Sequence, residues 1–261
     1  MSRLLSILLI FAAVLMGCDS TELDPNYPKT IRPLPDATLE QLKKEFALNN
    51  VFLKSSLNEF GYCSRNEHEV DAMNPPILDT LKESEAIDLI KTFVSLNPYA
   101  TGVEDLNESY LSNIKSTSDS YDGSIMWIAK TPNQRWDTIE VLNTRMLFRI
   151  INRELVSCRN NWFQEIYIPE EFRVGIEEAK SLLINKEVSH YTIAGIEWVE
   201  RVTESSLGES QYSLKVLPMW YEDRIELRVA WEINIPSPVH YIFYVDVMSG
   251  RILRKESTIV S

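Results

Sequence analysis

Apolar and polar positions alternate along this chain with a period that changes several times, and each change predicts an element. Leu39, Leu42 and Phe46 fall at helical spacing behind Thr38-Leu39-Glu40-Gln41, a capping box. They predict a short helix over 38–49. Val51 to Cys63 alternates loosely and predicts a strand or two. Residues 64–76 are polar, end in Pro75-Pro76 and predict a loop. Thr80-Leu81-Lys82-Glu83 is a second capping box, and its helix runs to about Leu96, ahead of Pro98. Ala86, Ile90, Phe93 and Val94, with Ile87 beside them, form its apolar stripe. A third helical stretch, Val174 to Asn185, carries Ile176, Ala179, Leu182 and Leu183 on one face. The pairs Glu85-Ala86 and Leu89-Ile90 recur there as Glu178-Ala179 and Leu182-Leu183.

Period-two patterning follows each of the two longer helical stretches. After the first come Ile125/Trp127/Ala129, Ile139/Val141, Met146/Phe148/Ile150, a turn at Asn152-Arg153, and Leu155-Val156. After the second come Ile193 to Val202, Tyr212 to Val216 and a regular run. In that run Ile225, Leu227, Val229, Trp231, Ile233 and Ile235 alternate with Glu226, Arg228, Ala230, Glu232 and Asn234. It predicts a strand with one buried and one wet face, ended by Pro236. Val239 to Met248 predicts the next strand, and Ser249-Gly250 turns it into Arg251-Ile252-Leu253. A helix with one apolar stripe and a sheet with one apolar face bury each other. The fold class expected is α+β, two tandem two-layer units of one helix on an antiparallel meander, over 37–168 and 169–261.

The N-terminus reads as an address. Arg3 precedes an apolar run, Leu4 to Met16, shorter than the about 20 residues of a spanning helix. The run ends Leu15-Met16-Gly17-Cys18, which resembles the lipobox of bacterial lipoproteins. That resemblance implies a signal peptide over 1–17, cleavage before Cys18, acylation of Cys18 and attachment to a lipid bilayer of the cell envelope. Residues 18–36, with Pro25, Pro28, Pro33 and Pro35, read as a Pro-rich tether spanning up to roughly 55 Å at about 3.1 Å per residue. Tyr27 and Ile31 are the residues by which it could pack on the body instead. Cys63 and Cys158 remain, an even number that admits a disulfide and equally admits two buried thiols.

Composition narrows the function. The 261 residues carry 26 Lys+Arg against 38 Asp+Glu, a net charge of −12. That balance excludes a nucleic-acid partner, which needs positive potential. With 3 His and 3 Cys there is little to build a metal centre, and neither metal nor cofactor is expected. His68-Glu69 begins like a zincin helix, but Ala72 stands where the second His belongs. No G-x-S-x-G elbow exists, and 207–210 reads as a plain loop. The carboxylate pairs Glu170-Glu171 and Glu177-Glu178 suit a helix start, so no catalytic residue is expected. Among 6 Trp, Trp127 and Trp231 lie on apolar strand faces and read as core. Trp136, Trp162 and Trp220-Tyr221 sit near loops or strand ends and are candidates for a binding surface.

Residues 211–253 resemble the PepSY module of metallopeptidase propeptides and standalone envelope proteins. The resemblance rests on Leu227-Arg228-Val229-Ala230-Trp231-Glu232-Ile233, on Tyr244-Val245-Asp246-Val247 and on Ser249-Gly250-Arg251-Ile252-Leu253. The first half is similar to the companion propeptide module of fungalysin and thermolysin precursors. There Asn133-Gln134-Arg135-Trp136-Asp137 precedes a strand, and Phe148 to Ser157 forms a closing hairpin. Leu142-Asn143-Thr144 departs from that module by lacking its turn glycine. The tandem implies cystatin-like units and an envelope lipoprotein that binds or restrains a peptidase or a peptide segment. Residues Arg254 to Ser261, with Arg254 and Lys255, would then be free to enter a partner's cleft. The other functional class is a structural or adaptor subunit of an envelope assembly.

Overall fold

The computed structural model describes residues 24–51, 53–65, 81–111, 113–118, 125–151, 153–191, 197–236 and 238–258. The stretch read as signal peptide, Cys18, and the loop carrying His68 lie outside the described residues. The fold is mixed α+β with largely antiparallel sheets.

Strand β1 (Lys29–Ile31) leads into helix α1 (Asp36–Asn49). Thr38 lies inside α1 rather than capping it, because Pro35 occupies the N-cap. Phe46 is buried, with Leu39 and Leu42 packed beside it. A small hairpin, β2 (Ser55–Leu57) and β3 (Cys63–Arg65), turns at Gly61, whose φ is +83°. Helix α2 (Glu83–Leu96) starts later than the predicted box. Its N-cap is Lys82, whose backbone N–H donates to Glu85 Oε2 at 2.8 Å. Ala86, Ile90, Phe93 and Val94 are buried, as their spacing requires.

The turn of helix α3 (Pro98–Thr101) closes on Gly102. There φ is +75°, and a Cβ would stand 2.7 Å from the Trp162 carbonyl oxygen, so only glycine fits. Next come β4 (Ile114–Ser118), β5 (Ile125–Lys130), β6 (Arg135–Trp136), β7 (Ile139–Val141), β8 (Met146–Ile151) and β9 (Glu154–Asn160). Asn143 turns in the left-handed region at φ +58°, which Asn tolerates better than most non-glycine residues. Four strands pair in the order β4-β5-β8-β9, and the inner face of this sheet packs on α2. Ile114, Ala129, Met146, Phe148, Ile150 and Cys158 line that face.

Helix α4 (Ile176–Ser181) is shorter than the pattern predicted. Leu183 and Ile184 bond three residues back, and Asn185 turns at φ +64°. Ala179 and Leu183 are buried like Ala86 and Ile90, but Leu182 faces out. A hairpin, β10 (Glu187–Tyr191) with β11 (Glu197–Arg201), follows. Helix α5 (Glu204–Gly208) comes next and takes in Leu207 and Gly208 of the expected 207–210 loop; it is capped by Thr203 Oγ1, which accepts from the Ser206 N–H. The long strands β12 (Gln211–Trp220), β13 (Ile225–Ile235), β14 (Tyr241–Asp246) and β15 (Ile252–Ser257) make an antiparallel meander.

The sheet of that meander extends into the first half of the chain. Strand β7 pairs in parallel with β12, and β6 pairs with β7, giving the order β15-β14-β13-β12-β7-β6, with β1 as the seventh strand on β13. The boundary expected at 168/169 therefore runs across a continuous sheet. One core joins Phe60, Tyr62, Val141, Phe163 and Ile166 to Val216, Ile225, Leu227, Val229 and Val247. The tether reading is corrected from Asp24 onward. β13 is longer than its pairing with β14, which covers only Ala230–Ile235, and β1 occupies the free end at Ile225–Leu227.

The wet face expected for β13 is also corrected. Ala230 is fully buried and Glu226 nearly so. An ionic chain explains the buried charge. Arg224 donates to Glu226, Arg228 donates to Glu226 at 2.8 Å and to Asp246 Oδ2 at 3.0 Å. Asp246 has 0 % exposure. Its Oδ1 accepts from the backbone N–H groups of Met248 and Ser249. The Tyr27 hydroxyl donates to Oδ2 at 2.8 Å and accepts from the Val229 N–H at 3.1 Å. Burial raises the Asp246 pKa, but the Ser249, Tyr27, Arg228 and Met248 bonds outweigh it and hold the carboxyl below its usual range. A depressed folded-state pKa stabilises above the unfolded value and loses that stabilisation as pH falls through the folded one. We predict that Asp246→Asn costs roughly 3 kcal/mol at neutral pH, because buried Arg228 loses one of its two carboxylate partners and keeps only Glu226. In urea titrations the gap to wild type should narrow as pH drops from about 5 towards 2; a gap independent of pH contradicts this account.

Candidate binding surface

The aromatic candidates fall in different places. Trp136 sits on β6, the outermost strand of the large sheet, and is 40 % exposed. The Arg135 side chain beside it donates to the Thr138 carbonyl, fixing the tight turn in which Asp137 adopts φ +54°. Trp220 ends β12 at 50 % exposure, with its ring edge-on to Phe60 at 5.9 Å. Tyr221 follows, covered on one side by the Arg224 guanidinium at 4.4 Å. Trp162 is corrected: it is 4 % exposed and packs edge-on against Tyr110 at 5.3 Å, so it is core. The sequence placed it after a strand end, but Asn160 Oδ1 accepts its backbone N–H and folds the chain inward.

Arg254 and Lys255 are corrected as a free tail. They lie within β15, where Arg254 pairs across from Tyr244 and Lys255 from Phe243. Arg254 is also ion-paired with Glu256. β15 and β6 are opposite edges of one sheet, so these cations and Trp136 do not converge. Cys63 and Cys158 do converge, as free buried thiols. The Cys63 thiol donates to the Cys158 carbonyl at 3.2 Å, and burial, then the bond to Cys63, pushes the Cys158 thiol well up.

Around Trp136 the surface is concave. A groove of about 560 Å³ is walled by Pro25, Pro28, Lys29, Trp136, Ile166 and Tyr167, with the Lys29–Glu165 ion pair at its side. Glu165 also walls a second depression of about 420 Å³ with Tyr99, Val103 and Gln164. Pro98 and Tyr99 are shared with a third, of about 210 Å³, against Phe46, Leu57 and Leu96. Each adjoins the next through these shared walls, so the three form one band. Sequence reading missed this band because β1, the 164–167 segment and the end of α2 are remote in the chain.

The groups lining the band suit binding. Prolines and half-exposed rings recur along it, Lys29 and Glu165 neutralise each other, and Glu45 and Glu104 add carboxylates. Among the described residues, no three His, Cys, Asp or Glu side chains gather to hold a metal ion. His190 is buried on β10 beside Tyr241, with both ring nitrogens unbonded, and lines none of the three depressions. No described helix is long and apolar enough to cross a membrane.

Burial separates the two tryptophans by experiment. Trp162→Ala should cost about 3–5 kcal/mol in denaturant unfolding, as for a buried aromatic. Trp136→Ala should stay within about 0.5 kcal/mol of wild type; equal costs would refute the assignment of one to core and the other to surface. No protein-family model matches this chain, and none of the curated proteins matches it.

Proposed function

We propose that this chain is a lipid-anchored envelope protein that binds or restrains a peptidase or a peptide segment and performs no catalysis of its own. In this reading Cys18 carries the acyl chains. The helix α2 on β4-β5-β8-β9 is the propeptide-like unit, and α4 with β12 to β15 is the PepSY-like, cystatin-like unit. The observation that carries the proposal is the open sheet. β15 pairs only with β14, and β6 only with β7, so both outer edges are without a described partner strand. An extended peptide adds to such an edge through backbone hydrogen bonds, with pockets for alternate side chains giving specificity. At the β6 edge, Trp136 and the groove beside it supply such a pocket.

Two acyl chains at about 0.8 kcal/mol per buried CH₂ hold a protein stably on a bilayer. Cys18→Ser should move the full-length protein from the membrane to the soluble fraction. Photo-crosslinkers placed at positions 136 and 254 in the full-length protein, in its own envelope, test the partner. A peptidase or peptide captured at either edge supports restraint. A stable assembly component captured instead favours the adaptor reading, and an empty result from both edges rejects edge binding.

A further inference from the structure

A second surface, on the four-stranded sheet, has the composition of an interface. Paired residues of an antiparallel sheet point to one face. In the four-stranded sheet, Lys115 stands opposite Ile128, Ile128 opposite Arg149, and Arg149 opposite Ser157. The adjoining row is Lys130, Leu147 and Arg159. The face turned towards α2 holds Ala129, Phe148 and Cys158, so these two rows form the outer face. Ile128 and Leu147, half-buried at the centre, join none of the apolar cores.

The charge on this face opposes that of the molecule. The chain carries −12, yet Lys115, Lys130, Arg149 and Arg159 share one face with Glu154 as the carboxylate of the neighbouring row. None of the four cations has an ion-pair partner among the described residues. Arg149 is central and half-buried, and its Nε is shut from solvent with no acceptor. A desolvated donor without an acceptor costs about 1–3 kcal/mol, and a carboxylate meets a guanidinium as a planar, two-bonded pair. An Arg at the centre of an apolar patch with lysines at its rim is the arrangement of a protein interface.

We infer that this outer face binds an acidic polypeptide segment, one carboxylate of which pairs with Arg149 while others meet Lys115, Lys130 and Arg159. A bilayer is the weaker occupant. Membrane-surface faces insert exposed aromatic or large apolar side chains, and none of the exposed ones among the described residues lies on these rows. The inference is independent of the edge-strand proposal, because it concerns the other sheet.

The test uses the full-length protein in detergent, with poly-L-glutamate as probe. Wild type should bind it with an affinity that falls as salt rises. Lys130→Glu with Arg159→Glu should weaken binding by about tenfold or more, and Arg149→Gln by a comparable factor. The rim substitutions are exposed and leave the fold intact, so a lost fold at Arg149 does not obscure the result. Lys44→Glu on α1 with Lys186→Glu after α4, exposed cations outside both this face and the edges of the large sheet, should leave binding within about twofold. Undiminished binding by the rim variant, or no binding by wild type, overturns the inference. Vesicles of anionic phospholipid that bind wild type while poly-L-glutamate does not, with the same loss in the rim variant, overturn it in favour of a bilayer.

Discussion

A carboxylate closed off from water, Asp246, organises the centre of this fold. It stands at the end of β14 and is bonded to the turn that follows, to Arg228 on the neighbouring strand and to Tyr27 of the N-terminal segment. An ion so buried is tolerable only when every lone pair is used, and Tyr27 supplies one of the necessary donors. β1 is thus held both by its ladder to β13 and by this hydroxyl. The same strand β13 receives β12 along its other side, and β12 in turn receives β7 from the first half of the chain. The halves share a core as a result, centred on Phe163, Ile166, Val216 and Leu227.

Much of this was legible in the sequence wherever one face of an element meets a core. The α2 stripe, the span of β13 and the Ser249-Gly250 turn follow from apolar spacing and turn chemistry. What failed did so for identifiable reasons. β4 and β10 carry too few apolar residues to show a period: Lys-Ser-Thr-Ser in one, Glu-Val-Ser-His in the other. The polar face of β13 looked wet because Glu226 and Arg228 are charged, and only three-dimensional pairing shows that they neutralise one another. Prolines made residues 24–35 look detached, yet three residues between them suffice for a strand.

The candidate surfaces were less legible than the fold. Trp136 and Trp220 were recognised from their positions at strand ends, whereas Trp162 shares that pattern and is buried. Local sequence cannot separate them, since burial of Trp162 depends on Tyr110 from a distant turn. Grooves made of remote segments leave no local trace at all. The basic outer face was equally hidden, because its cations are dispersed singly over four strands and only the register lines them up.

The docking of β1 also changes how far this molecule reaches. If, as we propose, Cys18 sits in a bilayer, six residue steps separate it from Asp24, whose carboxylate accepts the Tyr167 hydroxyl. Fully stretched, that span covers about 20 Å. The body then rides close above the headgroups with its Asp24 side downward, unable to sweep the surrounding volume. Any protein it meets must approach within that thin layer, which turns a three-dimensional search into one confined near the membrane plane.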